Sequence, residues 1–157
     1  MIVCIGVIRN AADIIESMIR ANALWADRFV FYDNMSTDRT AEIISALREE
    51  GFLVELLPDT EQSHLQKEKT LKLLRYVKEK YEPDFIMPLD DDEILIPADD
   101  RSFSEMRDNI LGLDPAMLYY ISWRNYIPTE EDESEEICIP RRLRFCFDDE
   151  PEMTKRC

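Results

Sequence analysis

The first eight residues, Met1 to Ile8 (MIVCIGVI), form an almost unbroken apolar run of strand length. A strand with one face in water alternates polar and apolar side chains, so a run of this kind belongs to a strand covered on both faces, as in a parallel sheet. The residues that follow keep a matching rhythm. Asn10 to Leu24 carries Ile14, Ile15, Met18, Ile19 and Ala23 at helical spacing, and Arg28 to Tyr32 (RFVFY) returns to strand composition. A second helix is expected from a cap at Ser36 or Thr37 to about Glu50, with Gly51 placed to end it. Phe52 to Leu57 then reads as a third strand, closed by Pro58. From Ser63 to Tyr81 a lysine-rich amphipathic segment presents Leu65, Leu71, Leu74 and Val77 on one side, and Phe85 to Leu89 supplies a fourth strand.

Strands alternating with helices in this order predict an α/β fold, a Rossmann-like, open and mostly parallel sheet with helices on both faces. Ligands of such sheets bind beyond the carboxyl ends of the strands. Past Pro97 the pattern weakens: Phe103 to Leu111 reads as a short helix, Met117 to Trp123 as another strand, and Glu130 to Glu136 (EEDESEE) as a solvated loop. A length of 157 residues suits one domain. Within it, residues 1–97 form the expected ligand-binding half and residues 98–157 a partial second region.

Charge narrows the partners. With 19 Lys+Arg against 34 Asp+Glu, the net charge of −15 repels phosphate backbones and anionic lipid surfaces, so nucleic-acid binding is not expected. An anionic ligand needs a local reversal of that field, for which a divalent cation is one device. No apolar run is long enough for a transmembrane segment. Cys4, Cys138, Cys146 and Cys157 include no CxxC pair, which reads as free thiols in a reducing cytoplasm. The crowding of three of them towards the end leaves a zinc site or a disulfide as the alternative.

The densest chemical signal is Asp90-Asp91-Asp92-Glu93, set between the fourth strand and the apolar triplet Ile94-Leu95-Ile96. Four adjacent carboxylates repel one another, and a solvated turn is the plain explanation. Their place at a strand's carboxyl end argues for more, because alternate residues Asp90 and Asp92 of an extended segment point to one side. Paired hard oxygen ligands suit Mg²⁺ or Mn²⁺, which take one or two carboxylates and complete their shell with water and substrate phosphates. A second strand end carries Asp33, followed by Asn34, Met35, Ser36, Thr37 and Asp38. A carboxylate there can accept hydrogen bonds from a ribose or a base, or simply shape the turn, and Asp38 can stabilise the next helix.

In combination, Val7-Ile-Arg-Asn10, Tyr32-Asp-Asn-Met-Ser-Thr-Asp38, Gly51, Pro88-Leu-Asp-Asp-Asp-Glu93 and Ser122-Trp-Arg-Asn-Tyr-Ile-Pro128 resemble the family 2 glycosyltransferases of the GT-A fold. The likeness is to their bacterial branch with an RNE-like opening and a DxDE metal motif. It implies transfer of a sugar from a nucleotide-sugar donor, a UDP-sugar by family frequency, to an acceptor hydroxyl on a carbohydrate or glycolipid, with inversion. It also implies Mn²⁺ or Mg²⁺ held by Asp92 with Asp90 and Glu93, and a donor site of Ile8, Asn10, Asp33, Asp90 and Asp91. Three positions depart from the pattern: Ala11 where the branch often has Glu, Asn22 where it often has His, and Met35 where most relatives have Gly. No catalytic base is assigned by motif. Relatives continue beyond the position matched by Lys155, so the acceptor half is expected to be truncated.

Gln62, Gln66, Lys67 and Lys69 read either as donor-side polar groups or as a solvated helix face, and His64 as a surface residue. Trp123 and Tyr126 suit a sugar platform or a core equally well. The competing readings are a nucleotide-sugar-binding domain without turnover, a nucleotidyltransferase, and a cation-binding signalling domain. A nucleotidyltransferase normally places a glycine-rich phosphate loop after its first strand, and here no Gly stands between Ile8 and Gly51. A phosphoacceptor domain needs paired acids at the end of that strand, where this chain has Arg9 and Asn10.

Overall fold

The apolar run that opens the chain becomes the central strand of a parallel sheet. A computed structural model describes residues 1–60, 66–98, 100–122, 124–130, 132, 139–143, 145–146 and 154–156. Their packing falls into two units, Met1–Gly112 and Leu113–Cys157. In the first unit the elements run β1 (Ile2–Ile8), α1 (Ile15–Asn22), β2 (Arg28–Asp33), α2 (Thr40–Glu49), β3 (Val54–Pro58), α3 (Gln66–Tyr81), β4 (Phe85–Pro88) and α4 (Phe103–Leu111). The sheet order is β3-β2-β1-β4 and every pairing is parallel.

Ile2, Val3, Cys4, Ile5 and Ile8 of β1 are fully buried, as the absence of alternation predicts. Val3, Ile5 and Val30 pack with Leu73 and Val77 of α3 on one face. Strand periodicity sends Cys4, Phe29 and Phe31 to the other face, where the two phenylalanine rings stack with centroids 6.1 Å apart. The chain reaches β3 by steps in one direction and crosses back over β2 and β1 to β4. Right-handed crossovers therefore put α1 and α2 on one face and α3 on the other.

Helix α3 buries Lys69, Leu73 and Val77, while the expected contact Leu71 is 44% exposed. The i, i+4 row through 69, 73 and 77 faces the sheet; of the expected side, Val77 is buried and Leu74 packs against the core, whereas Leu65 lies outside the described residues. Its last turn is tied to β3: Glu55 accepts hydrogen bonds from Tyr76 Oη at 2.6 Å, from Lys80 Nζ at 2.7 Å and from the Tyr81 hydroxyl. Burial pushes the Glu55 pKa up, and these donors more than offset it, holding the carboxyl below its ordinary range.

Helix α4 occupies the predicted residues, and its start is a capping box in which Ser102 and Glu105 exchange side-chain to main-chain hydrogen bonds. Arg107 anchors it to the amino end of the sheet, donating to the Trp25 carbonyl and, at 2.8 Å, to Asp27. Helix α2 starts at Thr40, later than the expected cap at Ser36 or Thr37. Gly51, at φ +103°, follows its last turn in the left-handed region as predicted.

The second unit, described by itself, holds two small antiparallel pairs. β5 (Tyr120–Ser122) pairs with Thr154–Arg156, and β6 (Tyr126–Ile127) pairs with Phe145–Cys146; a single helical turn, α5, spans Ile139–Arg142. The expected strand over 117–123 is thus shorter, with Met117 and Leu118 largely exposed before it. Cys4 and Cys146 are free thiols among the described residues, and Cys138 and Cys157 lie outside them.

Candidate functional site

β1 has β2 on one side and β4 on the other, and the chain leaves towards β2 but returns to β4 from the far side. The carboxyl ends of β1 and β4 therefore flank the topological switch point, where open α/β sheets bind ligands. The acidic motif is delivered there by a close backbone approach. Leu89 donates its N–H to the Ile5 carbonyl at 2.9 Å, and a Cβ on Gly6 would stand 2.5 Å from the Leu89 carbonyl oxygen. Only glycine fits at position 6 without moving the main chain that leads into the motif.

Residues 90–93 form a turn rather than an extended segment, because β4 ends at Pro88. The alternation that would send Asp90 and Asp92 to one side does not apply. Glu93 donates its N–H to the Asp90 carbonyl at 3.2 Å, the Asp90 N–H donates to Glu93 Oε2 at 3.1 Å, and Gln66 Nε2 donates to Asp90 Oδ1 at 3.2 Å. Asp92 is exposed and Asp91 half-buried. Burial, then the charges of Asp92 and Asp90, push the Asp91 carboxyl up to about 6, against hydrogen bonds from its own main chain and from the Arg9 N–H.

The ends of β1 and β2 are joined residue to residue. Ile8 lies opposite Asp33 in the parallel register, and Asn34 donates its N–H to the Ile8 carbonyl at 2.9 Å. Ile8 itself is fully buried, with its side chain withdrawn into the core. Asn10 takes φ 53°, a left-handed conformation that Asn tolerates better than most residues, and this aims both its N–H and its side chain at the neighbouring loop. Its N–H donates to Ser36 Oγ at 2.9 Å and its Oδ1 accepts from the Thr37 N–H at 2.8 Å. Ala11 N–H donates to Thr40 Oγ1 at 2.8 Å and Ala12 N–H to Asp38 Oδ2 at 3.0 Å. Ser36 and Thr37, expected at the helix cap, instead close this clamp. Asp38, one residue before the N-cap Arg39, accepts from the N–H of Thr40 at 3.0 Å, and Arg39 makes no side-chain cap bond.

Asp33 Oδ1 accepts the Ser36 N–H at 3.0 Å and so shapes the loop beside the switch point. Met35, where the motif pattern favours Gly, sits at φ 56°. At the end of β3, Asp59 accepts from Asn34 Nδ2 at 3.1 Å and pairs with Lys69 Nζ at 2.6 Å, with Lys69 only 3% exposed. Lys69 is therefore neither on a solvated face nor a free donor-side group. Asn22 is likewise buried, and the departure from the expected residue was all that marked it. Gln62, His64 and Trp123 lie outside the described residues, and Tyr126 is 50% exposed in the second unit.

The glycosyltransferase family 92 model matches residues 1–137, which include all of these strand ends and the acidic turn. The chain belongs to glycosyltransferase family 92. No curated protein and no solved structure matches it. The motifs resemble family 2, whereas the matching model is that of family 92, and glycosyl transfer is what the two share. This family 92 glycosyltransferase has, among the described residues, no group of three His, Cys, Asp or Glu side chains gathered as a metal cage. The donor set on its acidic turn is nonetheless chemically suited to a hard cation of the Mg²⁺ or Mn²⁺ kind, which needs few protein ligands when a diphosphate supplies the rest. Among the described residues no helix is long and apolar enough to cross a membrane.

Proposed function

We propose that the chain transfers a sugar from a nucleotide-sugar donor, a UDP-sugar, to a hydroxyl of a carbohydrate or glycolipid acceptor, with inversion and with the help of Mn²⁺ or Mg²⁺. The observation that carries this reading is the delivery of the acidic turn to the switch point, where the Leu89 N–H just before it is bonded to the Ile5 carbonyl of β1 at 2.9 Å. Asp33 and the main chain of Ile8 to Asn10 hold the nucleoside. Asp90 and Asp91 face the donor, and Asp92, exposed and flanked by like charges, takes the cation with Asp90 and Glu93. When bound, the cation screens the diphosphate and stabilises the charge it gains as the bond to the sugar breaks.

The repulsion within the turn supports this assignment. Adjacent carboxylates disfavour one another's ionisation, and a divalent cation relieves that cost while reversing the local field for an anionic donor. The test is thermal stabilisation by UDP, GDP, CDP and ADP with and without Mn²⁺, on the chain and on its Asp92→Ala and Asp33→Ala variants. A hundredfold excess over the dissociation constant stabilises by about 2.7 kcal/mol. A Mn²⁺-dependent preference for UDP that both variants lose is the expected result. A folded chain that no nucleotide stabilises overturns the reading, and nucleotide binding without release of sugar from a UDP-sugar leaves a donor-binding domain without turnover.

A further inference from the structure

Four consecutive acids are a poor spring for a turn, because each carboxylate pushes its neighbours towards solvent. The turn over Asp90 to Glu93 keeps its shape by being held at both ends. On the strand side, the Leu89 N–H is tied to the Ile5 carbonyl at 2.9 Å. On the far side the holder is Asn22, the last residue of α1, which is fully buried. Its Nδ2 donates to the Glu93 carbonyl at 2.9 Å and its Oδ1 accepts the Leu95 N–H at 3.0 Å, reaching 71 and 73 residues along the chain. The same amide donates to the Met18 carbonyl at 3.0 Å and accepts from Trp25 Nε1 at 3.1 Å. Both N–H groups and both oxygen lone pairs of the carboxamide are thereby used.

A core helix such as α1 needs no asparagine for its own packing, which Ile15, Met18 and Ile19 supply. Two of the four hydrogen bonds of Asn22 go to the main chain directly after the acids. The chemistry of the side chain also matters. A lysine or arginine in this place would hold the loop by neutralising it, whereas a carboxamide holds it and leaves the negative charge intact for a cation. An aliphatic residue would fill the space and leave the Glu93 carbonyl, the Leu95 N–H and the Trp25 indole without a buried partner.

We propose that Asn22 is a positioning residue that fixes the acidic turn for a divalent cation and its diphosphate without cancelling the turn's charge. This rests on the functional reading above and extends it to a residue that touches neither ligand. The role is that of an outer-shell group whose loss weakens metal sites by about ten- to a hundredfold.

The experiment compares the chain with Asn22→Ala, Asn22→Asp and Leu47→Ala. Asn22→Asp is nearly isosteric and retains the acceptor for Leu95 and Trp25, but it turns the donor that serves the Glu93 and Met18 carbonyls into a buried carboxylate oxygen, so melting temperatures are read on every variant to separate loss of fold from loss of the turn. Leu47→Ala removes a buried side chain of α2 and serves as a destabilised control remote from the turn. Two further quantities are read on each: the dissociation constant of UDP in the presence of Mn²⁺, and amide hydrogen exchange over residues 90–95. The expected result is a loss of affinity of about tenfold or more in Asn22→Ala and in Asn22→Asp, with faster exchange over 90–95 in both. Leu47→Ala should keep its affinity while its melting temperature falls. Wild-type affinity and unchanged exchange in the Asn22 variants overturn the proposal and leave the functional reading standing, as does an equal loss in Leu47→Ala. A wild-type chain that is folded and binds no nucleotide overturns the functional reading, and this role with it.

Discussion

At the amino end of the four-stranded sheet Asp27 meets Arg107 at 2.8 Å and Asp84 meets the amino group of Met1, whereas at the carboxyl end Asp90 to Glu93 crowd together. The partners named in that turn are neutral: the Gln66 amide on Asp90, the Arg9 N–H on Asp91 and the Asp90 N–H on Glu93. The same acids thus serve two ends. Paired with bases they fasten α4 and the chain terminus to the sheet. Held by amides they remain charged, and the fold tolerates the repulsion because Asn22 and the β1–β4 approach restrain the backbone. The carboxyl end has its own buried pair, Asp59 with Lys69 beyond β3, so the contrast is local to the acidic turn: beside paired acids at both ends of the sheet, Asp90 to Glu93 keep a negative field at the switch point, where a ligand can use it.

The largest effect expected of any substitution on this contrast is at Gly6. A Cβ there meets main chain, not a flexible side chain, so Gly6→Ala should cost about 3 kcal/mol in urea unfolding and displace the turn as well. Next comes Asp92→Ala, which should weaken Mn²⁺-dependent nucleotide binding by about thirtyfold, or about 2 kcal/mol, with the unfolding free energy changed by less than about 0.5 kcal/mol. A comparable loss of stability would show that the acids at this end are structural after all. Arg107→Ala is the mirror experiment: about 1.5 kcal/mol of stability should go, with nucleotide affinity unchanged.

A smaller gain is expected from Met35→Gly. The left-handed φ of Met35 is strained for a side chain, and relief set against glycine's freer unfolded state should stabilise by about 0.5 kcal/mol, measured by thermal unfolding. The smallest expected effect is in the pH dependence at the amino end. Burial pushes the Asp27 carboxyl up, but hydrogen bonds from Arg107 and the Ile2 N–H outweigh it and hold the pKa below its ordinary value. A folded-state pKa below the unfolded one means that the stabilisation is complete above the ordinary aspartate range and disappears as pH falls through the folded value. The gap in urea midpoint between the chain and Arg107→Ala should therefore be widest near neutrality and close in acid. A gap that widens in acid would assign Arg107 some other partner.

Much of this was readable from residue order. The burial of β1 on both faces, the alternation of strands and helices, the residues of α4 and the left-handed Gly51 all follow from apolar periodicity and local turn chemistry. These are short-range signals, and a linear text carries them. The fourth strand, expected over Phe85 to Leu89, ends one residue earlier at Pro88, and the contact that sets the path into the turn, Leu89 against Gly6, lies on another strand. On α3 the expected Val77 is buried and Leu74 packs on the core, while Leu71 is exposed and Lys69 is inside. Lys69 goes inside because Asp59 waits at the end of β3, and nothing within α3 announces that partner.

By itself, then, the sequence determined the class of fold, the strand that anchors it and the place where acids gather, since each depends on neighbours within a few positions. Only the tertiary structure decided which polar side chains hold the strand-end loops. It alone decided that Ser36 and Thr37 clamp Asn10 instead of capping a helix, and that Asn22 holds the turn. Those outcomes rest on hydrogen bonds across 26 to 73 residues, and the partner of a polar side chain at that range is chosen by the packing of the sheet.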